Sequence, residues 1–382
     1  MTEREATPAP HSPLRAALAE DMPGDFSISL DNAVRGGTER FLLEPAADAP
    51  RQSMRGFDPT FVNIVDYIVR ITHRIWEQKD IGYIYDVYSH DCSVWDDFGL
   101  QYGRDKIVAD TVHTNNAFPD IRLVADDIIW AGNDEIGFRT SHRAFIFGHH
   151  TGWSRYGAPT NRKVRFWCIA NCVARNNEIS IEHVLYNTGS LIQQLGLNLF
   201  EFARALGTQN ALTAPPPDFT ASEPHRLPGQ GKPAMLSSDL LSDGDIDSFA
   251  RAFYQNIWNR RMLGELERCC AAGVLLHAVT DREYEGLGHY RHFVLSILAM
   301  FPDLAIVVQE VYWMGNAQEG YSVSVRWSGE GTHRGYGVYG EPTGRGVHLW
   351  GISHWRIEKG LIQEEWMQFN ELALLAQILG QG

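Results

Sequence analysis

The chain has 382 residues, 44% of them apolar, with 11 Trp, 15 His and a formal net charge of −14. This length allows two or three domains, and the apolar content is enough for packed cores. The acidic balance argues against a nucleic-acid partner, which selects basic surfaces, and offers no attraction to anionic membranes. Five Cys without regular spacing, two of them adjacent (Cys269-Cys270), fit a reducing cytoplasm better than a disulfide framework or a metal clip. The N-terminus carries no apolar signal segment, and no run of 18 apolar residues predicts a membrane span.

Residues 1–56 read as an extension. Within it Phe26 to Leu30 alternates, as an edge strand or a segment across a pocket would; the plainer reading is a loosely docked arm. Asp58-Pro59 predicts a helix start, with Ile64, Ile68, Ile71 and Ile75 at helical spacing up to about Lys79. A short helix is predicted over 81–88, a strand over 92–96 and a third helix from Gly103 to before Phe118. Strands follow over 121–131 and, after an Asn133-Asp134 turn, through Phe147. A Gly-rich loop (148–162) precedes a hairpin of 164–175 and 179–186 around Asn176-Asn177, and a helix over 191–206 closes the unit. The Pro-rich stretch 207–242, with Pro215-Pro216-Pro217, reads as a linker. From 243 the order repeats: helices over 245–259 and on to Cys270, a strand over 274–278 and a helix over 287–300. Strands at 304–313, 321–330, 346–357 and 361–370 and a helix over 371–379 complete it. Each half is therefore α+β, with three helices on a curved antiparallel sheet.

The repetition is written in the residues. Phe118-Pro119-Asp120 recurs as Phe301-Pro302-Asp303, 183 positions on. The same offset links Trp130 to Trp313, Arg143 to Arg326, His150 to His333, Trp167 to Trp350, Glu182 to Glu365 and Asn187 to Asn370. A period this long marks a duplicated domain rather than a solenoid, giving units at 57–206 and 243–382.

Further motifs sharpen this. The second half carries Gly331-Thr332-His333-Arg334-Gly335, then Gly340-Glu341-Pro342-Thr343-Gly344-Arg345, Lys359-Gly360-Leu361-Ile362, Glu364-Glu365-Trp366 and Gln377 to Gly380. The first half has weaker versions at 148–152, Glu182-His183 and Gln194-Leu195-Gly196. On these residues each half resembles the SnoaL-like polyketide cyclase family, within the nuclear transport factor 2-like and ketosteroid-isomerase-like cone folds. The resemblance implies the fold. It leaves the activity open, because this fold hosts isomerases, cyclases, dehydratases, hydrolases and binding modules. The resemblance implies an acid/base Asp four residues after the Trp of the Glu364-Glu365-Trp366 motif, where the family's cyclases place it. Here that position holds Asn370, and Asn187 in the first half, which cannot shuttle a proton but can donate to an oxyanion.

Period-2 logic selects the side chains that share a sheet face. With a three-residue turn at 358–360, Trp366, Gln368 and Asn370 lie beside His354, Ile352, Trp350 and His348. The first-half set is His183, Leu185 and Asn187 with Asn171, Ile169, Trp167 and Arg165. Aromatics with a few convergent polar groups suit a small-molecule site. His183 and His354 are candidate bases, against the reading of satisfied core histidines; Asn187 and Asn370 are candidate oxyanion donors. Trp95, Arg143, Trp167, Asn171, His277, Arg326, Trp350, Trp366 and Gln368 are candidate substrate contacts. Arg143 and Arg326 could clamp a carboxylate, but pairing with Glu182 and Glu365 is the favoured reading. For Asp96 and Asp97 a solvated turn is the default. His149, His150 and His333 do not have metal-ligand geometry, while Trp153, Tyr156 and Tyr336 could cap a pocket. The opposite face, with Leu349, Trp355, Met367 and Phe369, is expected to pack the two sheets together as an intrachain pseudo-dimer. No phosphate-cradling loop, nucleophile elbow or Cys/His metal spacing is present, so no cofactor or metal is expected.

The expected function is cofactor-independent proton transfer next to a carbonyl (as cyclase, isomerase, lyase or hydrolase) on a small organic substrate. The alternative is a non-catalytic binder or scaffold of the same fold. A third reading divides the work, one half catalytic and the other structural. Further homodimerisation is left open.

Overall fold

The computed structural model describes residues 51–213 and 245–380, together with Thr38 and Leu42. The stretch at 26–30 lies outside the described residues, as does the expected linker from 214 onward. The first part of that linker, 207–213, continues a helix.

In the first half α1 (Ile64–Trp76) is capped by Asn63, whose side chain accepts from the Asp66 amide at 2.8 Å. The predicted start at Asp58 is a local turn instead. Its carboxylate is satisfied by the amide and hydroxyl of Thr60 at 2.9 and 2.7 Å, so it has no helix to cap. A 3-10 turn (Ile81–Tyr83) and α2 (Ile84–Val87) lead into β1 (Tyr88–Asp96) and a short, unpredicted β2 (Gly99–Tyr102). Then come α3 (Arg104–Ala117), β3 (Arg122–Asn133), β4 (Gly137–His149), β5 (Lys163–Arg175) and β6 (Glu178–Tyr186). The single closing helix expected at 191–206 is two helices, α4 (Thr188–Gln194) and α5 (Leu199–Thr213). The chain breaks between them at Gly196, whose φ of +81° suits glycine.

The second half repeats this with α6 (Ile246–Phe253), which continues as a π turn, α7 (Leu266–Cys269), β7 (Cys270–Ala278) and β8 (Arg282–Glu285). It ends with α8 (Gly286–Met300), β9 (Ala305–Asn316), β10 (Gly320–Thr332), β11 (Gly346–Glu358), β12 (Leu361–Phe369) and α9 (Glu371–Leu379). The sheet orders are β2-β1-β6-β5-β4-β3 and β8-β7-β12-β11-β10-β9, so the two halves share one topology. Each sheet is mixed: β1–β6 and β7–β12 run parallel, and the other neighbours run antiparallel. Among the described residues no helix is long and apolar enough to cross a membrane, and all five Cys are free and buried.

The expected sharing of one face is observed, but not the expected turn: Glu358 pairs with Leu361 around a two-residue Lys359-Gly360 loop, and a register shift between Arg356 and Ile357 brings His354 opposite Trp366 and Ile352 opposite Gln368. What also differs is the side on which each face looks. The sheets do pack face to face, but through the face read as a pocket: Trp167, Ile169, Leu185, Trp350 and Ile352 form one buried cluster. The contact is isologous across the repeat. Trp167 meets Trp366 edge-on at 5.2 Å, and the equivalent pair Trp350 and His183 meet at 5.7 Å. Ser324 donates to its own counterpart Ser141 at 2.9 Å. Leu349, Trp355, Met367 and Phe369, expected at that contact, instead face the helices of their own half and join its core with Phe249 and Phe253. The central strands are apolar on both faces, so hydrophobicity does not say which face meets which layer.

The two cores differ in one respect. In the second half a single continuous cluster fills the space between helices and sheet. In the first half the helix-side core is split into two clusters, and a cavity lies between them. Trp327 and Trp355 stand where the first half has Ala144 and Cys172. Trp327 lies so closely over Gly351 that a Cβ there would sit 2.3 Å from its ring. Replacing Trp327→Ala is expected to lower stability by about 3–5 kcal/mol, read from the urea midpoint; a loss under about 1 kcal/mol would mean that this ring is not the plug of the second core.

Candidate functional site

Alternation along the strands sets the cavity wall. On β6, Glu182, Val184 and Tyr186 face it, opposite Cys172, Ala170 and Cys168 of β5. Those in turn stand opposite Thr140, His142 and Ala144 of β4. From β1, Val94 and Asp96 share the face, with Val94 beside Glu182 in the parallel register. Ile68, Ile71 and Ile75 of α1 and Ile107, Thr111 and Thr114 of α3 form the roof. Tyr156 reaches in from the Gly-rich loop, and the exposed His113 and Arg155 mark the mouth. The volume is about 230 Å³, room for a small organic molecule. The second half retains only about 20 Å³, walled by Trp, Phe, Leu, Ile and Met side chains.

The polar groups of the first cavity have shifted ionisation. Burial, with the neighbouring Asp96 charge, raises Glu182 to about 7, and a 2.8 Å bond from the Tyr88 hydroxyl to Oε2 offsets part of that. Asp96 is also raised by burial, tempered by the Phe98 amide at 2.7 Å and by Arg155. Burial lowers His142 to about 4, leaving it neutral at pH 7, and its Nε2 has no hydrogen-bond partner among the described residues. Cys168 is pushed up to about 12 and Cys172 is raised by burial as well, so neither offers a thiolate nucleophile. Tyr88 and Tyr186 are raised by burial and stay protonated. The cavity is thus an apolar chamber with one carboxyl poised near neutrality, which is the profile of a general base.

The residues singled out from sequence lie elsewhere. His354, buried, places Nε2 2.5 Å from Ser141 Oγ, which also donates to Asn171 at 2.5 Å. With Ser324 they close a polar quartet at the centre of the sheet-to-sheet contact. His354 Nδ1 is 3.7 Å from Asp127, and burial lowers its pKa. His183 stacks on Trp95 at 4.6 Å and is lowered well below the usual histidine range by burial. In the second half His277 stacks on Trp366 at 3.8 Å and is held by Glu283 and Glu364 at 3.0 and 3.1 Å. The same His–Trp stack therefore occurs in both halves with its members exchanged between strands. Arg143 pairs with Asp126 at 2.6 Å and sits over Trp366, while Arg326 pairs with Gln309 and Glu310, not with the glutamates of the other face. Gln368 donates to the Tyr186 carbonyl at 2.7 Å across the contact.

Neither Asn is placed as an oxyanion donor. Asn370 caps α9, accepting from the Ala373 amide at 3.0 Å. Asn187 donates to Asp281 and accepts from the Thr280 amide, both at 2.7 Å, tying the halves together. Trp167, Trp350, Trp95 and Asn171 likewise belong to the contact between sheets. Asp97, read as a solvated turn, is buried and accepts from the Tyr186 amide at 3.0 Å and Thr188 at 2.9 Å. Of the loop aromatics Tyr156 lines the cavity, whereas Trp153 and Tyr336 are exposed. His150 is bonded to Thr160 and Ser154 and pins the loop. Among the described residues no three His, Cys, Asp or Glu side chains converge as metal ligands.

Residues 248–378, about a third of the chain, match the family model described as SnoaL-like polyketide cyclase. The second half is thus SnoaL-like, and by its identical strand order the first half has the same α+β fold. Among solved structures the chain is similar to a candidate SnoaL-like polyketide cyclase from Jannaschia sp. CCS1, at 16% identity over 39% of this chain and 100% of that one, TM-score 0.33. It is also similar to IdmH, a candidate polyketide cyclase from Streptomyces antibioticus, at 24% identity over 35% of this chain and 97% of that one, TM-score 0.29. A protein of ketosteroid isomerase-like fold from Catenulispora acidiphila, in complex with trimethylamine, matches at 16% identity over 34% and 93%, TM-score 0.29. Such likenesses say nothing of substrate. No curated protein matches.

Glu182 has a stability signature. Its folded pKa of about 7 lies above the ordinary 4.5, so between those values the native state holds a proton that the unfolded chain has released. Stability is therefore lost as pH rises from about 4.5 to 7, by up to about 3 kcal/mol for a shift of this size. Glu182→Gln, which still accepts from Tyr88, is expected to match the parent Tm near pH 4.5 and exceed it at pH 8. Parallel Tm curves over that range would show that Glu182 titrates normally.

Proposed function

We propose that the first half is a cofactor-independent enzyme that moves a proton on carbon next to a carbonyl, with the second half as its filled structural partner. The observation that carries this is Glu182, a carboxyl held near neutrality inside an open apolar chamber. As carboxylate it takes the proton from the carbon beside the substrate carbonyl, and the C–H electron pair moves onto oxygen as an enolate. Donors facing the chamber are available to that oxygen: the Tyr186 hydroxyl and, when protonated, Asp96. Returning the proton to a different carbon isomerises the substrate. If the enolate carbon instead attacks a second carbonyl, a ring closes and the proton goes to the new alkoxide. Both outcomes balance without a redox partner.

The test is deuterium exchange at carbon, followed by proton NMR in D₂O on a panel of small cyclic ketones and 1,3-diketones. Catalysed exchange is expected to rise through pH ~7, because the base is the deprotonated form of a group near 7. Glu182→Gln is expected to lower it by roughly 10²–10³-fold, and Glu365→Gln in the filled half to leave it near the parent rate. Saturable binding without exchange would make the chain a small-molecule binder instead, and exchange unaffected by Glu182→Gln would remove the proposed base.

A further inference from the structure

The cavity holds a second polar group that proton abstraction does not use. His142 sits mid-strand on β4 with 6% of its surface exposed, and it lines the chamber. Its Nε2 has no hydrogen-bond partner among the described residues. An imidazole on the chamber wall that makes no hydrogen bond to the described residues is free to meet a polar group on a molecule that enters the chamber. The filled half supplies the control. The position equivalent to His142 is Val325 and that of Tyr186 is Phe369, while strand pairing, one residue off the 183 offset on β1 and β7, matches Asp96 to Ala278. At the position of His142 the filled half carries no polar side chain.

Placement and chemistry narrow what the histidine can meet. β4 and β6 flank β5, and His142 is two residues out of line with Glu182, so the two stand roughly 12 Å apart at two separate points of the wall. His142 is neutral at pH 7, because burial holds it down to about 4. It therefore presents one donor and one acceptor rather than a positive charge. Glu182 and Asp96 share the chamber, and its one lining arginine, Arg155, sits at the mouth beside Asp96, so an anionic group on the ligand would meet like charge inside. A hydroxyl, which both donates and accepts, suits either tautomer of the ring.

We propose that His142 is a specificity residue that binds a hydroxyl group on a neutral, mainly apolar carbonyl compound, at the end of the molecule away from the carbon facing Glu182. This rests on the reading of the cavity as the active site and adds the substrate class to it.

The test uses matched pairs of neutral bicyclic ketones: 1-tetralone with 6-hydroxy-1-tetralone, and 1-indanone with 5-hydroxy-1-indanone. Binding is measured by ligand-observed NMR titration to the full chain. The parent protein is expected to prefer the hydroxylated member by about tenfold, the value of one good hydrogen bond. His142→Val, the residue its counterpart carries, is expected to bring that preference close to one while the unhydroxylated ketones still bind. His142→Gln keeps a side-chain donor and acceptor and is expected to retain part of the preference, which also serves if the valine variant folds poorly. Ala144→Trp, copying the plug of the second half, is expected to abolish binding of all four. If the ketones bind without preference, or the preference survives His142→Val, the role of His142 is overturned and the cavity reading stands. If none binds, or binding survives Ala144→Trp, the cavity reading falls with it.

Discussion

Each sheet has two faces, and the pairing of the halves consumes one of them. The contact is built around a pseudo-twofold point where Ser141 and Ser324 meet, flanked by Asn171 and His354 and enclosed by Trp167, Ile169, Leu185, Trp350 and Ile352. Removing this much aromatic and aliphatic surface from water is a large favourable term, roughly 1.5–3 kcal/mol for each buried Leu or Ile alone. The polar quartet at its centre is tolerable because the hydroxyls and the Asn and His groups satisfy one another. Once that face is committed, a ligand can be held only on the other side, between sheet and helices.

On that other side the halves diverge. A void in a core costs on the order of 24 cal/mol per Å³, so a chamber of this size left empty would cost about 5 kcal/mol relative to a packed one. The second half avoids this with Trp327, Trp355 and Tyr254, which pack against one another and against Phe253. The first half keeps the space, with Ala144 and Cys172 at the equivalent wall positions. Retaining a hollow core beside an identical fold that fills it has an explanation if a ligand occupies the hollow. The second half in turn covers the apolar back of the first sheet, which alone would lie open to water.

Much of the architecture was legible in the residues. The 183-residue offset gave two copies of one topology, and period-2 alternation gave the residues of β11 and β12 that share a face, because both are local signals. The pairing itself was missed, since the loop is two residues long and a register shift lies between Arg356 and Ile357. Which face looks inward was not legible. Both faces of the central strands carry large apolar side chains, and a sheet buried on both sides lacks the apolar–polar alternation that tells inside from outside. The aromatic and His-rich face was taken for a pocket on chemical grounds, and those grounds hold equally for a contact made of stacked rings. Two signals pointed to the better answer. Trp95/His183 and His277/Trp366 exchange identities across paired strand positions, as expected if the two rings touch each other rather than a ligand. On the opposite face several positions differ in one direction, small or polar in the first half and large or apolar in the second, while Cys168 against Gly351 and Ile146 against Gly329 run the other way, Gly351 making room for the Trp327 ring. Ala144 against Trp327, Cys172 against Trp355, His142 against Val325 and Asp96 against Ala278 all follow the first direction.

The pair Glu182 and Glu365 shows how far residue identity falls short of chemistry. Both are glutamates at equivalent strand positions, and each receives a tyrosine hydroxyl, from Tyr88 in one half and Tyr290 in the other. The tyrosines come from different elements, β1 and α8. Glu365 is wholly buried under the core, and burial raises its pKa with no volume beside it for a reactant. It can hold a proton, but it has nothing to exchange it with. Glu182 has the same desolvation and the same kind of partner, and it has the chamber as well. The functional difference between the two halves therefore lies in the side chains that fill or vacate the space in front of the acid. A motif that records only the acid cannot register it.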